Sequence, residues 1–562
     1  MEAVVGRAAE LEREYDWLGA VESYKKALGL VTERDFSKKG EIYERLGYAF
    51  YRAAMQAENQ EEFRERMCQA VADYEKAKEF YGRLSEPRKT PRIMRCDAMI
   101  TYVRYWLSSD APEKKRLLDE CWRLTKESLK AFENSAEACE YGKTYSHLSA
   151  SPIFAFTLEP DFKSRERAIW EAVESGEKAI RFLSDCGDSS EHARVCAKTV
   201  VCLGVFGYYF QDVDEREKYL EKGLDYWAKA KELSEEAAMT EFIYPVFGGQ
   251  PFFGLEGTDE AFANYEKALE YGKKMKDKFI VGCTLDWLMY HTAWKRVATD
   301  DPDEKTRLVE RVVQYCEEAK RQFSIISFVS PRCDMAWTGG IDVEYWLWLS
   351  NLETDLKKRR DLFEKALQAL PSVVKRGEES GYPEIMMYLH SGRAILRLQR
   401  AKFETNLEEK KKLLEEALFY CNESIKFTER LEPFLYWNRG TNHSRLSAIK
   451  SELANLAKEP ETKKTLLQEA VTNKEKAIEL CIKELTFMER KGSGTSLFST
   501  VGSLQYDYGD TLIRLYRLTS NKELLTEAAE TYEDATESYQ TLNLVSRVAE
   551  TYWKRAQVYD TL

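Results

Sequence analysis

The residues able to do proton or metal chemistry are few and scattered. There are five histidines, His147, His192, His291, His390 and His443, in 562 residues. None has the partner four residues away that an H-E-x-x-H zinc site requires. Each falls in what reads below as the first helix of a repeat, so a shared site would need five hairpins to converge. Packing or groove histidines are the plainer reading. Asp300-Asp301-Pro302-Asp303 concentrates carboxylates, but it stands at a turn before a helix, where acids favour the helix dipole, and no second acidic cluster faces it. Lys491-Gly492-Ser493-Gly494-Thr495-Ser496 lacks the lysine after the glycines that a phosphate cradle needs, and it follows a helix rather than a strand. A helix C-cap followed by a new N-cap explains it. The twelve cysteines form no C-x-x-C pair, and none has a nearby histidine that would mark it as a nucleophile, which reads as reduced, mostly buried thiols in a cytoplasmic protein. Catalytic, cofactor-binding and metal-ligating residues are therefore expected to be none, and the chain is expected not to be an enzyme.

Binding chemistry is more visible. Aromatic residues make up 12 % of the chain, and some stand where helical rhythm fails. Residues 242–255 carry Phe242, Tyr244, Phe247, Phe252 and Phe253 among Pro245, Gly248, Gly249, Pro251 and Gly254, which forbid a continuous helix. Residues 326–341 are interrupted by Pro331, Gly339 and Gly340, with Arg332 and Trp337 between them. A third break, Ser151 to Phe156, ends an earlier helix. These loops either fill a concave surface with their own rings, mark a change of curvature, or form a recognition pocket for a peptide or small ligand. On the last reading the candidate groove residues are Tyr244, Phe247, Phe252, Phe253, Arg332 and Trp337. Among the basic runs, Lys357–Arg360 and Lys410–Lys412 read as solvated faces of outer helices. Arg88-Lys89-Thr90-Pro91-Arg92 with Arg95 is a denser patch that could meet an acidic partner.

The elements that must position these residues come from a repeat. ETDLKKRRDLFEKAL, from Glu353 to Leu367, returns as ETNLEEKKKLLEEAL from Glu404 to Leu418, a shift of 51. Cores of the same cassette begin near Met67, Leu117, Ala168, Tyr219, Leu308, Leu362, Leu413, Leu466 and Leu524, with further copies at Ser23–Leu28 and Asn264–Leu269, about eleven in all. Leu413, Leu414, Ala417, Leu418 and Cys421 share one face at three- and four-residue spacing. Breakers at 110–112, 159–161, 300–302, 381–383 and 431–433 separate helices of roughly 20 residues. Each period is thus a helical hairpin, which must stack on its neighbours to bury its apolar face.

Ala20, Tyr24 and Ala27 have a small-x3-aromatic-x2-small spacing. It recurs at Ala70, Tyr74 and Ala77; at Gly223, Trp227 and Ala230; at Ala261, Tyr265 and Ala268; and at Ala528, Tyr532 and Ala535. Tyr43, Leu46, Gly47 and Phe50 match W-x2-L-G-x2-Y with an aromatic exchange at the first place. The sequence therefore resembles the tetratricopeptide repeat family, with most units lengthened from 34 to about 51 residues. The resemblance implies an all-α, right-handed superhelical solenoid of about eleven antiparallel helix pairs with a concave binding groove. The expected layout is a single array over 1–562. It comprises a short repeat at 1–33, long hairpins over 34–542 with irregular insertions at 242–255 and 326–341, and a cap or truncated repeat helix at 543–562.

Lys+Arg is 84 against Asp+Glu at 96, a net charge of −12. That balance disfavours nucleic acid and anionic lipid and suggests neutral or basic partners. No uninterrupted apolar run reaches the length of a membrane span, and the acidic N-terminal stretch does not read as a signal peptide. The expected function is a cytoplasmic, non-catalytic scaffold that binds a protein or peptide in its groove. The alternatives are a sensor or regulatory arm of a larger signalling protein, recognising a ligand or partner, and, by analogy with prenyltransferase-like hairpins, an all-helical enzyme.

Overall fold

Asp or Asn in the polar turn starts many of the helices. The side chains of Asp16, Asn59, Asp161, Asp277, Asp355 and Asn406 each accept a backbone N–H from the first turn. In the computed structural model of the chain, which describes residues 1–86, 88–133, 137–236, 259–330, 341–490 and 495–562, these caps punctuate a run of antiparallel helix pairs. The first five pairs are α1 (Glu2–Arg13) with α2 (Trp17–Leu28), α3 (Phe36–Ala54) with α4 (Gln60–Tyr81), α5 (Lys89–Leu107) with α6 (Ala111–Glu133), α7 (Ala138–Leu148) and α8 (Ala150–Phe156) with α9 (Phe162–Ser184), and α10 (Ser189–Phe210) with α11 (Val213–Glu236). In the sixth, α12 (Asp259–Met275) takes the second place. Then follow α13 (Lys278–Val297) with α14 (Pro302–Ile325), α15 (Ile341–Leu352) with α16 (Leu356–Ser380), α17 (Pro383–Phe403) with α18 (Leu407–Leu431), α19 (Tyr436–Leu456) with α20 (Pro460–Arg490), and α21 (Thr495–Thr519) with α22 (Glu523–Thr541). A further first helix, α23 (Val545–Tyr559), packs on α22.

The small-aromatic signature does what the resemblance implies. Ala20, Tyr24, Ala27, Ala70, Tyr74 and Ala77 are fully buried, as are Ala528, Tyr532 and Ala535. Two glycines show how tight the hairpins are: a Cβ on Gly47 would lie 2.8 Å from the ring of Tyr74, and one on Gly509 would lie 2.7 Å from that of Tyr532. Leu413, Leu414, Ala417 and Cys421 are buried together on the inner face of α18, while Lys411, Lys412 and Glu415 of the same helix are exposed. The architecture is an all-α, tetratricopeptide-like solenoid of lengthened hairpins, with no strand among the described residues.

The coils of the solenoid touch. Asp277, the cap of α13, accepts a hydrogen bond from the Tyr15 hydroxyl and an ion pair from Arg52 of α3 at 3.0 Å, although Arg52 and Asp277 are 225 positions apart. Lys114 of α6 donates to the Ser327 carbonyl at 2.9 Å across 213 positions. Arg216 of α11 meets Glu484 of α20 at 2.6 Å across 268 positions, and both are buried. Ser546 of α23 donates to Asp300, 246 positions back, at 2.7 Å. Each contact joins one pair to another about five pairs away, so the chain winds about two turns and seats the second on the first. Rings of Trp106, Phe154, Phe279 and Phe328 pack edge to face or tilted, with centroids 5.3–5.8 Å apart, and weld the junction.

Two expectations change and a third is extended. The break at Ser151–Phe156 does not end its helix: the interruption is at Ser149, and α8 resumes with Pro152 in its first turn, where a missing N–H is harmless. Cys139 and Cys186 form a disulfide between the start of α7 and the residue region just past α9, so these two thiols are not reduced. The third concerns α10, which passes for a membrane span by length and composition although Glu191, Arg194 and Lys198 interrupt its apolar run as expected; what is added is that 78 % of that stretch is buried inside the array.

Candidate functional site

The residues singled out in the sequence fare differently. Tyr244, Phe247, Phe252, Phe253, Arg332 and Trp337 lie outside the described residues. Of the segment 326–341, residues 326–330 and 341 are described: Ile326 is fully buried, Phe328 joins the aromatic junction, Ser330 donates to Asp286 at 2.9 Å, and Ile341 opens α15. The stretch 326–330 fills the interior with its own side chains. Half of the Arg88–Arg95 patch is engaged within the fold, while Arg88 stays exposed with Glu137 at 3.3 Å. Arg95 is buried and paired with Glu44 of α3 at 2.5 Å and Glu140 of α7 at 2.6 Å, and Arg92 holds Glu137 at 2.7 Å. Asp301 spends its carboxylate on capping α14, and no group of three or more His, Cys, Asp or Glu among the described residues is arranged to hold a metal ion.

The histidines do lie on first helices, and they pack. His147 stacks on Tyr48 at 4.2 Å and His291 on Tyr265 at 5.2 Å. Burial lowers the His147, His192 and His390 pKa values. Burial likewise pushes the thiols of Cys121, Cys196, Cys202 and Cys481 up to about 12, so they remain un-ionised at neutral pH.

A different place in the inner wall is open. A cavity of about 200 Å³ lies between first helices α13, α15, α17 and α19, with α18 behind it. Its aromatic wall is Trp294, Trp348 and Trp437; the Trp294 and Trp437 rings meet edge-on at 4.7 Å and close the gap between α13 and α19. Its charged wall is Arg296, Glu344 and Arg445. The Arg296 guanidinium lies over the Trp348 ring at 4.4 Å. Arg445 donates to Ser391 Oγ at 2.7 Å and to Asn442 Oδ1 at 2.8 Å, which fixes its plane. Ser424, Thr428 and Thr441 add hydroxyls. Burial lowers the pKa of both arginines, and the neighbouring Glu344 partly restores each. They stay charged, because guanidinium loses its proton only far above neutrality. No histidine or cysteine lines the cavity.

Nothing in the sequence drew attention to these residues. They belong to five helices from four repeats and show no spacing pattern. The one available signal was charge in first-helix slots otherwise made of core residues, such as Glu344 within IDVEYWLWLSNL.

No protein-family model matches this sequence, and no curated protein matches it. Among solved structures, a Rap protein complexed with Competence and Sporulation Factor superposes with a TM-score of 0.39 at 14 % identity, over 76 % of this chain and 100 % of its own. The human IFIT1 dimer with m7Gppp-AAAA gives 0.28 at 13 %, over 75 % and 90 %. Yeast Tom70 gives 0.27 at 12 %, over 99 % and 95 %. These are tetratricopeptide-repeat proteins. Superpositions this loose carry no argument, and the architecture rests on the packing described above.

Proposed function

We propose that this chain is a non-catalytic recognition scaffold that takes a short peptide or small ligand in the cavity between α13, α15, α17 and α19. The observation that carries this reading is the cavity's make-up: three tryptophans, two guanidinium groups and several hydroxyls and amides converge on one hollow. Apolar walls with a few placed polar groups are the usual composition of a ligand site. At about 200 Å³ the hollow holds one ring-sized group or one residue rather than an extended segment. The seating of one coil on the next favours a compact ligand over a long chain threaded through an open groove.

A second reading follows from the same geometry. The cavity borrows walls from four consecutive pairs, so an occupant would touch all four and bias the angles between them. That would suit a sensor arm whose curvature reports ligand to another component.

The test is thermal unfolding of the full chain with a panel of N-acetylated tripeptides and of aromatic and aliphatic acids. At least one probe should raise the midpoint by about 2 °C or more, and the rise should vanish in Thr441→Phe, which fills the hollow from a half-buried position. If no probe shifts the midpoint, or the shift survives Thr441→Phe, the cavity is not the binding site.

A further inference from the structure

Two hydrogen-bond donors in the cavity wall are left over. Trp294 Nε1 and Arg296 Nε are both buried, and neither meets an acceptor. A buried N–H without an acceptor is costly, and native proteins rarely keep one unless something else supplies the oxygen. Both are donors only, so what would satisfy these two is an acceptor, whereas the Glu344 carboxylate buried in the same wall, Oε2 included, would favour a donor. Among the described lining residues the charges agree: Arg296 and Arg445 carry two positive charges against one negative charge on Glu344, an excess of one. That is the reverse of the chain as a whole, at −12. The faces and edges of Trp294, Trp348 and Trp437 supply an aromatic wall beside the guanidinium groups.

We propose that the cavity recognises a single carboxylate carried next to an aromatic ring. The inference rests on the reading of the cavity as the binding site and names the chemistry of its occupant. The carboxylate would sit at Arg296 and Arg445, accept the orphan N–H groups of Arg296 and Trp294, and neutralise the excess charge. The ring would lie against the tryptophans. A free aromatic acid and the C-terminal residue of a peptide share this chemistry.

Isothermal titration of the full chain separates the possibilities. The probes are N-acetyl-L-tryptophan, its uncharged amide, N-acetyl-L-alanine, and the tripeptide Gly-Gly-Trp with a free or an amidated C-terminus. N-acetyl-L-tryptophan should bind at least about tenfold more tightly than its amide and than N-acetyl-L-alanine. Arg445→Gln should bring the acid to the level of the amide and leave the amide unchanged, whereas Glu344→Gln should tighten the acid. Arg445→Lys, which keeps the charge, should restore part of the preference and guards against misfolding of the Gln variant. If the free tripeptide outbinds N-acetyl-L-tryptophan, the occupant is a peptide end; if the reverse holds, it is a small acid. Equal binding of acid and amide, both lost in Thr441→Phe, overturns the carboxylate and leaves the cavity reading standing. Failure of every probe to bind overturns both.

Discussion

At the scale of single residues, the solenoid depends on where a side chain is missing. Gly47 of α3 and Gly509 of α21 stand against the rings of Tyr74 and Tyr532, each closer than a methyl group allows. Gly47→Ala gains about 1 kcal/mol of helix propensity but forces the ring aside in a packed core, which costs about 1–3 kcal/mol. The expected result is a net loss near 1 kcal/mol in urea unfolding, which disappears when Gly47→Ala is compared with Gly47 in a Tyr74→Leu background. Glu432 offers a second test. It follows α18, fully buried, and burial together with Glu384 of α17 pushes its carboxyl up to about 7, against the pull of Arg165 of α9 and a hydrogen bond from Asn438 of α19. The folded chain then holds a proton there that the unfolded chain has released above about pH 4.3. Stability from this group therefore falls as pH rises from about 4.3 to 7, by at most about 1.4 kcal/mol per unit. Melting at pH 5, 6, 7 and 8 should show that slope, flattened in Glu432→Gln. The aromatic-small signature was legible because both partners lie within one repeat. Glu432 was not, because Arg165, Glu384 and Glu432 meet only after the chain has come round once.

At the scale of elements, each helix is started locally and held remotely. Asp277 does both: it caps α13 by accepting the Ile280 N–H at 2.9 Å, and it receives Arg52 and Tyr15 from the preceding coil. Asp277→Asn keeps the cap and loses the charge; Asp277→Ala loses both. Leaving the largely buried Arg52 without its carboxylate costs about 3–5 kcal/mol, and the lost cap about 1 more. In guanidinium unfolding of the full chain, wild type, Asn and Ala should therefore rank in that order. Equal stability of wild type and Asp277→Ala would show the pin to be idle. The sequence made the capping role plain, since an aspartate precedes an apolar periodic run. It made the pin invisible, since nothing in the spacing of 52 and 277 links them. The candidate cavity was hidden for the same reason: α13, α15, α17 and α19 each read as an ordinary core-facing helix until they are placed round one axis.

At the scale of the whole molecule, an open repeat array unfolds by nearest-neighbour steps, but the coil-to-coil contacts add couplings across about five pairs. Denaturation should accordingly follow one transition by both circular dichroism and tryptophan fluorescence. The double variant Asp277→Ala/Arg216→Ala, which cuts a pin near each end of the junction, should separate the two probes into distinct midpoints. Coincident curves in that variant would mean that the coils are held by their rings alone. The seated coils also set a rule for change over evolutionary time. Open arrays grow and shrink by duplicating or dropping a unit, because only adjacent units notice. Here, excising one hairpin would advance the upper coil by about a fifth of a revolution, bring Asp277 past Arg52 and Glu484 past Arg216, and cross-thread the chain like a screw started in the wrong groove. The number of hairpins between the paired coils is therefore constrained, and variation there enters more easily through the residues that line each hairpin.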